Sequence, residues 1–238
     1  MNRPFSRRHF NSAALSALGV LVWATAQQVH ALSLADLTDK EANQGLKAAL
    51  EKAALAAVGL LGQTDGFLGN EKVRIPLPGA LDSAAKLLKN LGQGQRVDEL
   101  ITSMNRAAEA AVPLAKDALV GAVKSMNFTD AKNILSGGDN AMTTFFADKT
   151  REPLFTKFLP VVTKATEKVG AAEKYNQFAS KAAGFGLVKK EDASIQDYIT
   201  RKALDGLYTM IGEQEKSIRQ DPVGTGSAVL KKVFGATF

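Results

Sequence analysis

The chain has 238 residues, with 30 Lys and Arg against 24 Asp and Glu for a formal charge of +6, and it contains no cysteine. Both histidines, His9 and His30, and the single tryptophan, Trp23, stand inside an N-terminal stretch laid out as an export signal. A product processed behind that stretch works without imidazole or thiolate, which excludes triad-type nucleophiles, His or Cys metal centres and disulfide staples.

Three adjoining features carry the signal reading. Arg3, Arg7 and Arg8 form a basic head with no acidic residue before Asp36, and an apolar run from Ser12 to Ala26 follows that is too short to span a bilayer comfortably. Val29-His30-Ala31 then offers small residues where a signal peptidase reads, so residues 1–31 are expected as a cleaved signal and 32–238 as one domain. Ser6-Arg7-Arg8-His9-Phe10 resembles the twin-arginine signal, in which Arg7 and Arg8 are followed one residue later by bulky Phe10. Asn11 departs from the aliphatic residue usual next, and ordinary secretory export or an uncleaved anchor stand as alternatives. Cleavage after Ala31 removes Arg3, Arg7 and Arg8 and no acid, lowering the formal charge from +6 by three, to +3. That charge is too small and too dispersed for a nucleic-acid surface, and no second apolar run is long enough to cross a membrane. The expected product is a periplasmic or secreted domain without stable membrane insertion.

In chain order, Thr38-Asp39-Lys40-Glu41 reads as a capping box before Leu46, Leu50, Ala54, Ala57 and Leu61 at helical spacing, with Gly62 ending the run. Residues Gly62 to Gly79 follow, irregular and rich in Gly and Pro. Within them Val73 to Pro78 must be extended, because Pro76 and Pro78 disfavour helical geometry in the residues before them. Being apolar and pinned by proline, this strip is expected to lie along the helices. Further helices are expected over Ala80 to Leu91, Arg96 to Met126, Asp130 to Leu135, Asn140 to Val169, Ala172 to Ala183, Ile195 to Arg219 and Ser227 to Phe234, with Pro113, Pro153 and Pro160 bending or splitting theirs. No run alternates as a strand does. The fold class is therefore all-α, a single bundle of seven to nine helices with one irregular segment.

Packing clues come from small residues. Ala53, Ala54, Ala56 and Ala57, and again Ala107, Ala108, Ala110 and Ala111, let helix backbones approach closely and mark candidate centres of the bundle. The last long helix carries Tyr198, Ile199, Ala203, Leu207, Met210 and Ile211 on one stripe. Gly206 in its middle costs about 1 kcal/mol relative to alanine, so something is expected to pack tightly there.

The segments GFLGN (Gly66 to Asn70), VRIPLP (Val73 to Pro78), MNRAAEAAVP (Met104 to Pro113), ILSGGDNAMT (Ile134 to Thr143) and KALDGLYTMIGEQEKSIRQDP (Lys202 to Pro222) resemble the bacterial domain-of-unknown-function family numbered 4197. The likeness runs from about Leu34 to Gly235. It implies an exported helical domain, with no established reaction or ligand and no catalytic residues to carry over.

Among polar groups, Asn105, Arg106 and Glu109 stand out. Arg106 and Glu109 are three apart on one helix and pair there, and if buried they need each other or a partner such as Asp205. Gly137-Gly138-Asp139 either offers an anion or cation site at a helix start or ends one helix while Asp139 caps the next. Ser83-Ala84-Ala85-Lys86 has the Ser-x-x-Lys spacing of penicillin-recognising enzymes but lacks their Lys-Thr-Gly strand, Lys149-Thr150-Arg151 being helical in context. Glu215 with Arg219, and Arg201 with Asp205, have the spacing of ordinary surface salt bridges.

These residues lean against an enzyme and imply no metal and no cofactor. The leading expectation is a binding or interaction module, in which Gly62 to Gly79 covers an apolar groove for a lipid-like small molecule or a partner helix. A carboxylate hydrolase centred on Glu109 or Asp205 and a self-associating envelope protein are the alternatives.

Overall fold

Helix boundaries follow the punctuation of the sequence. The computed structural model describes residues 39–79, 94–167 and 194–221, with isolated positions at 90, 92, 172, 173, 175 and 176. The chain divides into the units Met1–Ala31 and Leu32–Phe238, and everything described belongs to the second. Helix α1, Asp39–Leu61, buries Leu46, Leu50, Ala54, Ala57 and Leu61 completely, one stripe at helical spacing. Its expected cap residue, Thr38, lies outside the described residues.

Helix α2 spans Gly94–Ala111, and a 3₁₀ turn at Val112–Leu114 holds Pro113 before α3, Ala115–Ser125. The stretch expected as one proline-interrupted helix is thus split at Pro113, whose missing N–H falls where an α-helical ladder would need it. Helix α4, Phe128–Ser136, begins two residues earlier than expected. The reason is a reciprocal capping box, in which Asp130 N–H donates to Asn127 Oδ1 at 2.8 Å and Asn127 N–H donates to Asp130 Oδ2 at 3.1 Å.

Helix α5, Ala141–Thr166, is one helix through Pro153 and Pro160, so neither proline splits it. Both prolines are exposed, as are Lys149 and Thr156, whose carbonyls lose a donor, so water can replace the missing bonds. Helix α6, Ile195–Gln220, is capped by Ser194, whose Oγ accepts from Asp197 N–H at 3.3 Å.

Among the described residues there are six α-helices, one 3₁₀ turn and no strand. The larger count of seven to nine depends on Ala80 to Leu91, Ala172 to Ala183 and Ser227 to Phe234, which fall wholly or largely outside them. Among the described residues, no helix is long and apolar enough to cross a membrane.

The most extensive packing joins α5 to α6. They run antiparallel, because residues late in one bond to residues early in the other: Thr166 meets Gln196, Arg151 meets Asp205, Thr150 meets Tyr208 and the start of α5 meets Glu215. Helices α1 and α3 are likewise antiparallel, with Gly62 against Pro113 at one end and Lys47 donating to the carbonyl of Lys124 at the other. The alanine segments turn one side to the core, Ala53, Ala54 and Ala57 on α1 and Ala107, Ala108 and Ala111 on α2 being buried, while Ala56 is half-buried and Ala110 exposed. Helix α1 packs on α6 and α3, and α2 packs on α5 and α6.

Candidate functional site

Between α1 and α2 the chain forms a strap, residues 62–78, laid over α2 and α6. Short internal bonds fold it on itself: Gly66 N–H donates to Gln63, Gly69 N–H to Asp65, and both Val73 and Arg74 N–H to the Asn70 carbonyl. Asp65 takes a left-handed conformation at φ 65°, a region short polar side chains tolerate. At Gly66 a Cβ would stand 2.5 Å from the Leu61 carbonyl oxygen, so the turn leaves room for glycine alone.

Four side chains of the helices, Glu109, Arg106, Asn105 and Tyr198, fasten this strap. Glu109, only 5 % exposed on α2, accepts from the Phe67 and Leu68 amides through Oε1, each at 3.1 Å, and from Arg106 Nη1 through Oε2 at 2.6 Å. Arg106 reaches outward and donates from Nη2 to Asp65 Oδ1 at 2.8 Å. Its hydrogen bond to Glu109, then that to Asp65, hold the guanidinium pKa above the ordinary arginine value. One turn earlier, fully buried Asn105 accepts from Ile75 N–H at 2.8 Å and donates Nδ2 to the Ile75 carbonyl at 3.0 Å. The amide therefore pairs with both main-chain groups of one extended residue, as a neighbouring strand would. From α6, Tyr198 Oη donates to the Pro76 carbonyl at 3.1 Å.

The underside of the strap is apolar. Phe67, Val73 and Ile75 are buried, and Phe67 meets α6 at Gly206, where the sequence requires a close neighbour. The strap covers this face, and the space beneath it is occupied by the strap's own side chains. Lys72 on the outer side pairs with Glu213, and that hydrogen bond lowers the Glu213 pKa below the ordinary carboxylate value.

Asn105, Arg106 and Glu109 therefore come together, with Asp65 in place of the partner expected at Asp205. Asp205 lies apart on the outer face of α6, its side chain 48 % exposed. It accepts from Arg151 Nη1 at 2.9 Å and sits 3.7 Å from Lys202 Nζ. Arg151 also stacks 4.8 Å from the centre of the Tyr208 ring, and the Tyr208 hydroxyl meets Thr150 Oγ1 at 2.9 Å. Asp139 is exposed and lines an open surface groove of about 680 Å³ with Asp130, Asn140, Phe145 and Lys149.

The glycines end one helix as expected, Gly137 standing at the C-cap of α4, but Asp139 does not cap α5. The N-cap, Asn140, makes no side-chain capping bond. Glu215 of α6 fills that place: Oε1 accepts from Met142 N–H at 3.0 Å, and Oε2 accepts from Thr143 N–H at 3.0 Å and Thr143 Oγ1 at 2.9 Å. Arg219 donates to Glu215 Oε1 from Nη2 at 2.9 Å. Glu215 is 0 % exposed, which overturns its reading as half of a surface salt bridge. The anion site of this helix start exists and is occupied from within. Its sequence signal was phase, since Glu215 lies four residues after Ile211 and three before Ile218 on the buried stripe.

Arg7, Arg8, Phe10 and Ala31 lie outside the described residues, as do Ser83 and Lys86. No group of three His, Cys, Asp or Glu residues that could hold a metal occurs among the described residues.

The architecture is that of an all-α domain with a clamped, proline-bearing strap. A family model described as a protein of unknown function, DUF4197, matches residues 36–235, and the chain belongs to that family. No curated protein and no solved structure matches the chain.

Proposed function

We propose that this protein is an exported binding or interaction module that acts through the α2–α6 face beneath the strap, in the periplasm, without catalysis. The observation that carries the reading is the strap itself. An apolar, proline-pinned segment lies in a cleft between two helices, held by side-chain clamps on its main chain, much as an extended ligand is held. Among the described residues, both buried carboxylates are bonded to fixed donors in the scaffold, Glu109 to two strap amides and Arg106, Glu215 to the start of α5 and Arg219. A carboxylate hydrolase needs an acid and a base free to exchange protons with substrate, and Glu109 meets no such requirement.

The leader, with its basic head, short apolar core and Val29-His30-Ala31 site, supports export, and the Arg7-Arg8-x-Phe10 pattern supports the twin-arginine route. Two measurements test the proposal. N-terminal sequencing of protein recovered from the periplasmic fraction is expected to begin at Leu32. Native mass spectrometry and organic extraction of that protein are expected to reveal a bound apolar molecule or a helical partner, and repeated recovery of empty monomer overturns the binding half.

A further inference from the structure

We propose that residues 65–76 of the strap open and close as one unit on the otherwise folded domain, with Glu109 as the latch. The open form uncovers the notch at Gly206 for an apolar chain, an inference that rests on the binding reading above. Four features converge on this device.

First, the strap is folded on itself. Its turns within 65–76 are closed by bonds of short sequence separation, from Gly69 to Asp65, Asn70 to Phe67, and Val73 and Arg74 to Asn70, none of which breaks when the segment lifts. Second, among the described residues the main-chain bonds that tie it to the helices run to three side chains, Glu109, Asn105 and Tyr198, rather than to a backbone ladder. A segment joined by a few discrete bonds is the kind that opens sub-globally. Third, its apolar anchor is concentrated in Phe67, Val73 and Ile75, and Phe67 enters a notch that exists only because residue 206 has no side chain. Withdrawing that ring leaves an apolar depression on α6 for a slender apolar group. Fourth, the latch has a handle in solvent. Arg106 is 38 % exposed at its side chain and links buried Glu109 to exposed Asp65, so a charged ligand headgroup at this rim competes for the same guanidinium.

The ends of the moving piece are set by the sequence. Gly62 stands at the end of α1, and Pro76 and Pro78 hold the far end extended. The expected ligand is thus a chain with an apolar tail and an anionic head, the tail replacing Phe67 and the head reaching Arg106.

Hydrogen exchange read by mass spectrometry, with a fluorescent long-chain fatty acid as probe, tests this on the full processed protein. Peptides covering 65–76 are expected to exchange together, through an opening at least tenfold more frequent than that of the α5–α6 peptides. Arg106→Gln, which cuts both ion pairs while Glu109 keeps the Phe67 and Leu68 amides, is expected to raise strap exchange several-fold and leave α5–α6 exchange unchanged. Glu109→Gln is expected to raise it further. Strap peptides that exchange only together with α5–α6 overturn the proposal, whatever the probe does. Independent strap opening with no fatty-acid binding to the parent protein or to Glu109→Gln keeps the moving strap but overturns the proposed ligand, whereas the binding reading itself falls only with recovery of empty monomer in native mass spectrometry.

Discussion

Phe67 rests its ring on the bare backbone of Gly206: a Cβ at residue 206 would stand 2.6 Å from Phe67 Cε1 and 3.3 Å from Val73 Cβ. Gly206→Ala gains about 1 kcal/mol of helix propensity, yet the overpacking costs about 1–3 kcal/mol, so the variant is expected to be less stable. Phe67→Ala should cost about 3–5 kcal/mol, as loss of a large core side chain does. The two are expected to compensate. In the Phe67→Ala background the alanine at 206 becomes neutral or stabilising, and urea titration of the double-mutant cycle reads the sign change.

Asn105 separates recognition of the strap from burial of its side chains. Asn105→Leu keeps bulk on α2 but leaves the Ile75 amide and carbonyl without their partner, and the loss is expected to be about 2–4 kcal/mol for two orphaned groups. Asn105→Asp should also destabilise, since a carboxylate still accepts from Ile75 N–H but now faces the Ile75 and Ile101 carbonyls to which Nδ2 donated. Chemical denaturation of both variants checks both losses; an Asn105→Leu protein as stable as its parent contradicts the clamp.

Glu215 and Asp139 make opposite predictions at the start of α5. Truncating Glu215 leaves the Met142 and Thr143 amides unbonded and Arg219 facing its lost partner, so Glu215→Ala is expected to cost about 3–5 kcal/mol. Asp139→Ala, at an exposed position without a capping role, should stay within about 0.5 kcal/mol of the parent. Thermal melts of the two variants decide between an internal carboxylate and a loop residue as the cap.

These two carboxylates also show where the sequence was legible. Stripes such as Leu46, Leu50, Ala54 and Leu61 follow from one local period, and so they emerge as written. The strap was legible in outline, because Pro76 and Pro78 force extension and apolar Val73 and Ile75 need cover. Gly206 announced a tight neighbour but could not name Phe67, which lies far away in the chain. Glu215 and Arg219 have identical spacing whether they face water or the start of another helix, and only the approach of α5 decides which. Pro153 and Pro160 do not split α5 for a related reason, as their lost bonds fall on its wet side.

Tyr208 gives the pH dependence with a definite sign. Burial pushes its hydroxyl pKa above the ordinary value, an effect its hydrogen bond with Thr150 reduces only in part. Below the ordinary phenol value, about 10, folded and unfolded forms both keep the proton, and the contribution is fully present. Above that value the unfolded tyrosine ionises first, so the contribution is lost as pH rises through the higher folded pKa. Tyr208→Phe removes the titration while Thr150 Oγ1 keeps its bond to the Phe146 carbonyl, so the cost near neutrality is expected to be about 1 kcal/mol. Urea midpoints measured from pH 8 to pH 11 should therefore fall more steeply for the parent than for Tyr208→Phe, the two curves converging toward alkaline pH. Parallel curves would mean that the phenol releases its proton as readily in the folded domain as in the unfolded chain.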